Sequence, residues 1–293
     1  MSCHRRSAAR ATLAVLAAGC VLSGAASSGR QLPIEPLKDS GQNVYPAFEG
    51  WYQNADGSYS LLLGYYNRNA KEVLDIPVGP NNQIQPGGPD QGQPTHFLAR
   101  RGWGVVAIKV PKDFGDKKIV WTLTANGRTA AIPFGLVKGY QIEPYKDAAL
   151  GNTPPVLKFD PAGPALQGPP LPLSAAHAMS AVAAEPATIT VWATDDDRNS
   201  PPTSAGATGP RRPRLSVVLS QYRGPGTVTF ADATPEIDKD GKATTTATFA
   251  APGDYVIRVE GNDSSGVGGG GFQCCWTTGY INVSVKGAGT TGG

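Results

Sequence analysis

Six short stretches in the last third of the chain alternate apolar and polar residues with a period of two. Ile189, Val191 and Ala193 make the first, Leu215, Val217 and Leu219 the second, and Val228 with Phe230 the third. Thr245, Ala247 and Phe249 follow, then Tyr255, Ile257 and Val259, and last Ile281, Val283 and Val285. Successive side chains of a strand point to opposite faces, so each stretch reads as a strand with one buried face. Turn residues separate the stretches, which predicts a sandwich of two antiparallel sheets over residues 187–287.

Residues 44–140 read as a second all-β domain. Tyr59, Leu61, Leu63 and Tyr65 alternate with Ser58, Ser60 and Gly64, and 105–110 and 119–123 are further β-rich runs. Asn126-Gly127 stands between two such runs, the strongest short hairpin signal. Between the domains, 141–186 holds nine prolines, including Pro154-Pro155 and Pro169-Pro170. Proline lacks a backbone donor, so this stretch is expected to be a semi-rigid spacer, with a short helix over 173–184 at most. The expected class is therefore all-β: two β-sandwich domains joined by a Pro-rich linker. Across the chain, 37 glycines and 26 prolines in 293 residues stay below the roughly 25–30 % at which composition alone argues for disorder.

Residues 1–26 read as a signal peptide: Arg5, Arg6 and Arg10 precede an apolar run over 11–22 and the small residues Ser23-Gly24-Ala25-Ala26. The run is too short for the roughly 20 residues of a spanning helix, and no transmembrane span is expected elsewhere. A second reading makes Cys20, after Leu16-Ala17-Ala18-Gly19, a lipidation site at the end of a lipobox-like segment. Either way the chain is expected to be exported. Residues 27–43 are an N-terminal extension and 288–293 a flexible tail. The net charge is +3, and no Lys/Arg stripe interleaves with aromatics, so nucleic acid is not an expected partner.

Tyr222-Arg223-Gly224-Pro225-Gly226-Thr227-Val228-Thr229-Phe230, the run from Ala243 to Phe249, and Pro252-Gly253-Asp254-Tyr255-Val256-Ile257-Arg258-Val259 resemble the Ig-like repeats of secreted bacterial proteins. These are similar to polycystic-kidney-disease-type domains. The resemblance covers the last third of the chain and implies an Ig-like fold in which Tyr255 makes a tyrosine corner. It implies little about activity, because such sandwiches host many roles.

Chemistry has few places to reside. His4 lies in the signal segment and His177 in the linker, so His96 is the one histidine within an expected domain. The chain has no Gly-x-Ser-x-Gly elbow and no His-Glu-x-x-His helix. A carbohydrate-active hydrolase would need two acids of the first domain, such as Glu49 and Asp56. If the six C-terminal strands are B to G of an Ig-like fold, the B–C, D–E and F–G loops share one pole. That pole would gather Asp195-Asp196-Asp197, then Glu236, Asp238 and Asp240, then Asn262-Asp263. Asp195, Asp197, Asp238, Asp240 and Asp263 are thus candidate Ca²⁺ ligands, because Ca²⁺ takes 6–8 oxygens from flexible loops. The competing reading has solvated acids neutralised by Arg211, Arg212 and Arg214.

The F–G loop ends in Phe272-Gln273-Cys274-Cys275-Trp276 after a glycine run. Adjacent Cα atoms lie about 3.8 Å apart, below the usual 4.4–6.8 Å span of a disulfide. Two alternatives stand: a vicinal Cys274–Cys275 bridge, favoured by export, or two thiols on opposite faces of a strand. A bridged loop would hold Phe272 and Trp276 at its tip as a binding surface together with the cysteines. Tyr45, Phe48, Trp51, Tyr52, Tyr59, Tyr65 and Tyr66 of the first domain are expected to fill its core. The expected function is an exported, non-catalytic adhesion-type protein whose Ig-like loops bind a polysaccharide or a protein. A carbohydrate-active hydrolase and a structural spacer are the alternatives.

Overall fold

The computed structural model describes residues 37–148, 151–198, 214–266 and 274–287. The signal segment with Cys20, and also Arg211, Arg212, Phe272 and the tail, lie outside the described residues.

The N-terminal lobe is built on strands that alternate as their sequence dictates. β1 (Val44–Gln53), β2 (Tyr59–Asn67) and β6 (Arg100–Val110) form one antiparallel sheet in the order β1-β2-β6. β4 (Asn82–Gln85), β7 (Ile119–Ala125) and β8 (Arg128–Phe134) form a second, in the order β4-β7-β8. A two-residue ladder joins β3 (Leu74–Asp75) to β5 (His96–Phe97). Leu61, Leu63 and Ile108 from the first sheet meet Ile84, Trp121 and Phe134 from the second in one core. Asn126 and Gly127 both adopt positive φ, 48° and 70°, which the I′ turn of the β7–β8 hairpin requires.

The C-terminal lobe has two facing sheets, ordered β10-β9-β12-β15-β14 and β11-β17-β16-β13. Their strands are β9 (Val156–Lys158), β10 (Leu166–Gln167), β11 (His177–Val182), β12 (Pro186–Thr194), β13 (Leu215–Arg223), β14 (Val228–Phe230), β15 (Lys242–Phe249), β16 (Gly253–Asp263) and β17 (Trp276–Lys286). β12, β15 and β14 stand as B, E and D, and β13, β16 and β17 as C, F and G, the Ig-like arrangement. Tyr255 makes the corner: its hydroxyl donates to the Ala251 carbonyl at 2.9 Å. Ile189, Val191, Ala247, Ile257, Val259 and Ile281 fill the core between the sheets.

The stretch 141–186 is not a spacer throughout. It supplies β9, which pairs with β12 inside a sheet, β10, and β11, which runs parallel to β17 at an edge. Its prolines flank these strands instead of interrupting them: Pro154-Pro155 precede β9, and Pro169, Pro170 and Pro172 separate β10 from β11. His177–Val182 contains no proline and keeps every donor that its ladder needs. The helix expected over 173–184 is reduced to a 3₁₀ turn at Leu173–Ala175.

The lobes are not held apart either. The outer face of β13, β16 and β17 lies against the N-terminal lobe, and Tyr222, Val256 and Tyr280 enter that lobe's core cluster. The Tyr222 hydroxyl lies 2.7 Å from the Gly92 carbonyl and 2.8 Å from that of Val105, which also accepts from Tyr280. Arg223 forks onto Asp90 at 2.8 and 3.0 Å and donates to the Gln93 carbonyl. Leu62, on the face of β2 opposite Leu61 and Leu63, is equally buried and packs with Tyr52 and Trp276.

Gly104 makes this closeness available. Its φ is +47°, and a Cβ there would fall 2.6 Å from the Trp276 ring. Gly104→Ala is expected to cost about 2–3 kcal/mol by overpacking and left-handed strain, read as a lower urea midpoint; an unchanged midpoint would show that Trp276 does not seat there.

Candidate functional site

The register fixes which loops meet. Trp192 of β12 lies opposite Lys242 of β15, Leu215 of β13 opposite Asp263 of β16, and Asn262 opposite Trp276 of β17. The segments after β12, before β15, after β16 and before β17 therefore share one pole. Asn152, just before β9, joins them: its Nδ2 donates to Asp263 Oδ2, and its carbonyl lies 3.6 Å from Cys275 Sγ. Thr153 Oγ1 donates to Asp196 at 3.0 Å.

The acids nominated from sequence divide into two sets. Asp195 and Asp263 come close enough to interact: burial first, then the Asp263 charge, pushes the Asp195 carboxyl up to about 6. Asp195 Oδ2 accepts the Asp197 N–H at 3.3 Å, whereas its Oδ1 is buried without a partner. Asp263 Oδ1 accepts the Ser265 N–H at 2.8 Å. Asp238 and Asp240 serve their own turn instead. Asp238 accepts the N–H groups of Lys242 and Asp240, which holds its carboxyl below the usual range. Asp240 pairs with Lys239 at 2.9 Å, and Asp197 lies 4.0 Å from Arg214. Asp238 and Asp240 thus stand apart from Asp195 and Asp263, and no group of three or more His, Cys, Asp or Glu side chains is arranged to hold a metal among the described residues.

Cys274 and Cys275 are joined, with an S–S separation of 2.07 Å and Cα atoms 3.7 Å apart. Both are buried, and Cys275 has a φ of 89°. Trp276 is only 4 % exposed and packs on Tyr52 and Leu62. A stacking platform of Cys274, Cys275 and Trp276 at a loop tip is thus not what the fold builds, because the indole that was to face a ligand faces the other lobe.

The acids nominated for hydrolysis do not share a cleft. The Glu49 side chain is fully buried; Arg101 donates to Oε1 at 2.8 Å and the Gly104 N–H to Oε2 at 2.8 Å. Asp56 stands exposed on the β1–β2 turn, where bonds from Lys109 and then Ser58 hold its carboxyl well below the usual range. His96 Nδ1 lies 2.7 Å from Asp75 Oδ1, a link across the β3–β5 ladder.

Sequence reasoning missed one charged group. Arg258, between Val256 and Glu260 on the outer face of β16, is buried at the lobe junction. It pairs with Glu260 and donates to the Trp103 carbonyl at 2.6 Å. A charge between apolar positions of a strand reads as solvent-facing; the aromatic residues Tyr222 and Tyr280 at neighbouring outward positions are the signal that this face is covered.

No protein-family model and no curated protein matches this chain. Among solved structures, domains 4 and 5 of the S-layer protein SbsC align at 13% identity over 58% of this chain and 65% of theirs, with a TM-score of 0.24. The D0–D1 domain of intimin aligns at 14% identity over 82% of this chain and 94% of its own, with a TM-score of 0.21. The adhesin InvE of Yersinia pseudotuberculosis aligns at 11% identity over 84% and 60%, with a TM-score of 0.24. This chain spans 28% of a longer SbsC fragment that it also matches. These superpositions are loose, so the Ig-like assignment rests on strand order and the tyrosine corner.

Burial raises Glu49 from 4.5 to about 7 against the opposing pull of Arg101, the Gly104 N–H and Arg258. Between those values the folded chain holds a proton that the unfolded chain has lost. The Glu49 contribution to stability is then fully present below about pH 4.5, falls as pH rises to about 7 and is flat above. Urea unfolding at about pH 5 and about pH 8 should show Glu49→Gln removing this part of the slope; an identical pH dependence in variant and wild type would contradict the assignment.

Proposed function

We propose that this protein is an exported, non-catalytic module that binds a protein partner through the loop pole of its C-terminal sandwich. The observation that carries the reading is the burial of the outer β13-β16-β17 face against the N-terminal lobe. An Ig-like sandwich offers partners its sheet faces and its loop ends; with this face taken, the loops are what remains presented on that side. Their attachment to two interlocked lobes reduces the ordering cost of binding.

The chemistry of the pole favours protein over polysaccharide. Asp197, Arg198, Arg214, Lys239 and Asp240 are exposed there and carry both signs, which suits electrostatic complementarity. The indole nominated for stacking on a sugar is buried. Export is supported by the signal-like segment over 1–26 and by the Cys274–Cys275 bridge, since disulfides persist in oxidising compartments. Among the described residues no helix is long and apolar enough to cross a membrane.

The test is retention of the protein, immobilised by its C-terminus, on cell-envelope material. Protease treatment of the envelope is expected to abolish retention, and Arg198→Glu with Lys239→Glu to weaken it about tenfold or more. Retention that survives protease but is lost on polysaccharide digestion would move the assignment to a glycan, and no retention at all would leave a spacer.

A further inference from the structure

We propose that the pole end of the C-terminal sandwich core is a binding site for one hard divalent cation, calcium in preference to magnesium, held between Asp195 and Asp263 with the side-chain amide oxygen of Asn152. The site stands independently of the protein-binding reading.

Strand alternation puts the two acids there. On β12 the core-facing row is Ile189, Val191 and Ala193, all buried, and Asp195 continues it one step beyond the strand. On β16 the row is Tyr255, Ile257, Val259 and Gly261, and Asp263 closes it. The two sheets thus end their apolar rows in carboxylates that face each other across the sandwich, where one more hydrophobic pair would ordinarily close the core. Neither acid has a Lys, Arg or His partner among the described residues; Arg198 and Arg214 are drawn to Asp196 and Asp197.

Beside the acids, the buried Asn152 supplies a second observation that points to a positively charged ligand. It is fully buried, and its Nδ2 is committed to Asp263 Oδ2. That bond fixes the amide orientation, because a carboxylate accepts only from the nitrogen end. Its Oδ1 is therefore an acceptor beside Asp263, and it has no donor. Asp195 Oδ1 is in the same condition. Buried acceptors are almost always satisfied in folded proteins, so two that share this end of the core with two anions call for a cation.

The donor set selects the metal. All three side chains offer hard oxygens, and the neighbouring cysteines are consumed in their bridge, which disfavours zinc. Calcium accepts amide and carboxylate oxygens in irregular geometry, with waters completing 6–8 ligands, whereas magnesium demands a near-ideal octahedron. With two carboxylates the affinity belongs in the range of extracellular calcium modules, a Kd of about 10⁻⁴–10⁻³ M.

The experiment is thermal unfolding of the whole protein in EDTA, in 10 mM CaCl₂ and in 10 mM MgCl₂ at matched ionic strength. With a Kd of about 10⁻⁴ M, calcium should favour the folded state by about a hundredfold and raise Tm by several degrees. Magnesium should do far less. Asp195→Asn should abolish the calcium response while leaving the EDTA-treated protein at least as stable as wild type, because it removes one of two facing charges. Three results would overturn the proposal: no calcium shift, as when the two acids simply share a proton; an equal shift with magnesium, which marks general charge screening; or a calcium shift that persists in Asp195→Asn. Should that variant fail to fold, calorimetric titration of the wild type decides: one calcium per chain supports the site, and no heat or several weak sites ends it.

Discussion

The outer face of one Ig-like sheet cannot stand in water by itself, and the rest of the structure follows from how it is covered. Tyr222, Val256 and Tyr280 put apolar surface on that face, and Arg258 puts a charge that is buried with Glu260. Removing water from an ion pair costs several kcal/mol per ion unless further hydrogen bonds repay it. Here the Trp103 carbonyl and Thr278 hydroxyl supply such bonds, while Glu49 and Arg101 pair on the facing lobe. The carbonyl partners sit on β6 and just before β5, so β6 must lie close against the sheet. That closeness demands a glycine at 104, where a Cβ would meet Trp276; within the N-terminal lobe, Gly64 makes room for Glu49, whose Oε1 would lie 1.9 Å from a Cβ there.

Much of this was legible from residues alone, for reasons specific to each. Strand periodicity located β12, β13 and β15 to β17 because each has one face in its own sandwich core. Asn126-Gly127 announced its turn through the positive φ that both residues tolerate. Tyr255 announced the corner through the glycine and proline just before it. The outer surface of β16 was not legible, since periodicity reports a strand's relation to its own core and nothing about a neighbouring lobe. Leu61-Leu62-Leu63 carried a hint, because three consecutive buried residues require cover on both faces of β2. Proline counting misjudged 141–186 because spacing decides the outcome: eight of its nine prolines fall outside the ladders and Pro186 only opens β12, which leaves room for three short strands.

The candidate site shows the same division. The shared pole of the B–C, D–E and F–G segments followed from topology, and the coordinates place Asp195, Asp263 and the joined cysteines there. Which acids face inward followed from strand parity, whereas Asp238 and Asp240 are claimed by local turn bonds that composition does not reveal. The contribution of Asn152 was hidden by its place in a segment expected to be a spacer. Trp276 was misplaced for the same reason as Arg258: its partner surface belongs to the other lobe.

The two lobes thus form one body through a shared, partly charged interface. Differential scanning calorimetry of the full chain tests this most directly. One transition whose calorimetric and van't Hoff enthalpies agree is the predicted result. Two separable transitions, each matching one sandwich, would contradict it and return the molecule to a pair of independent domains.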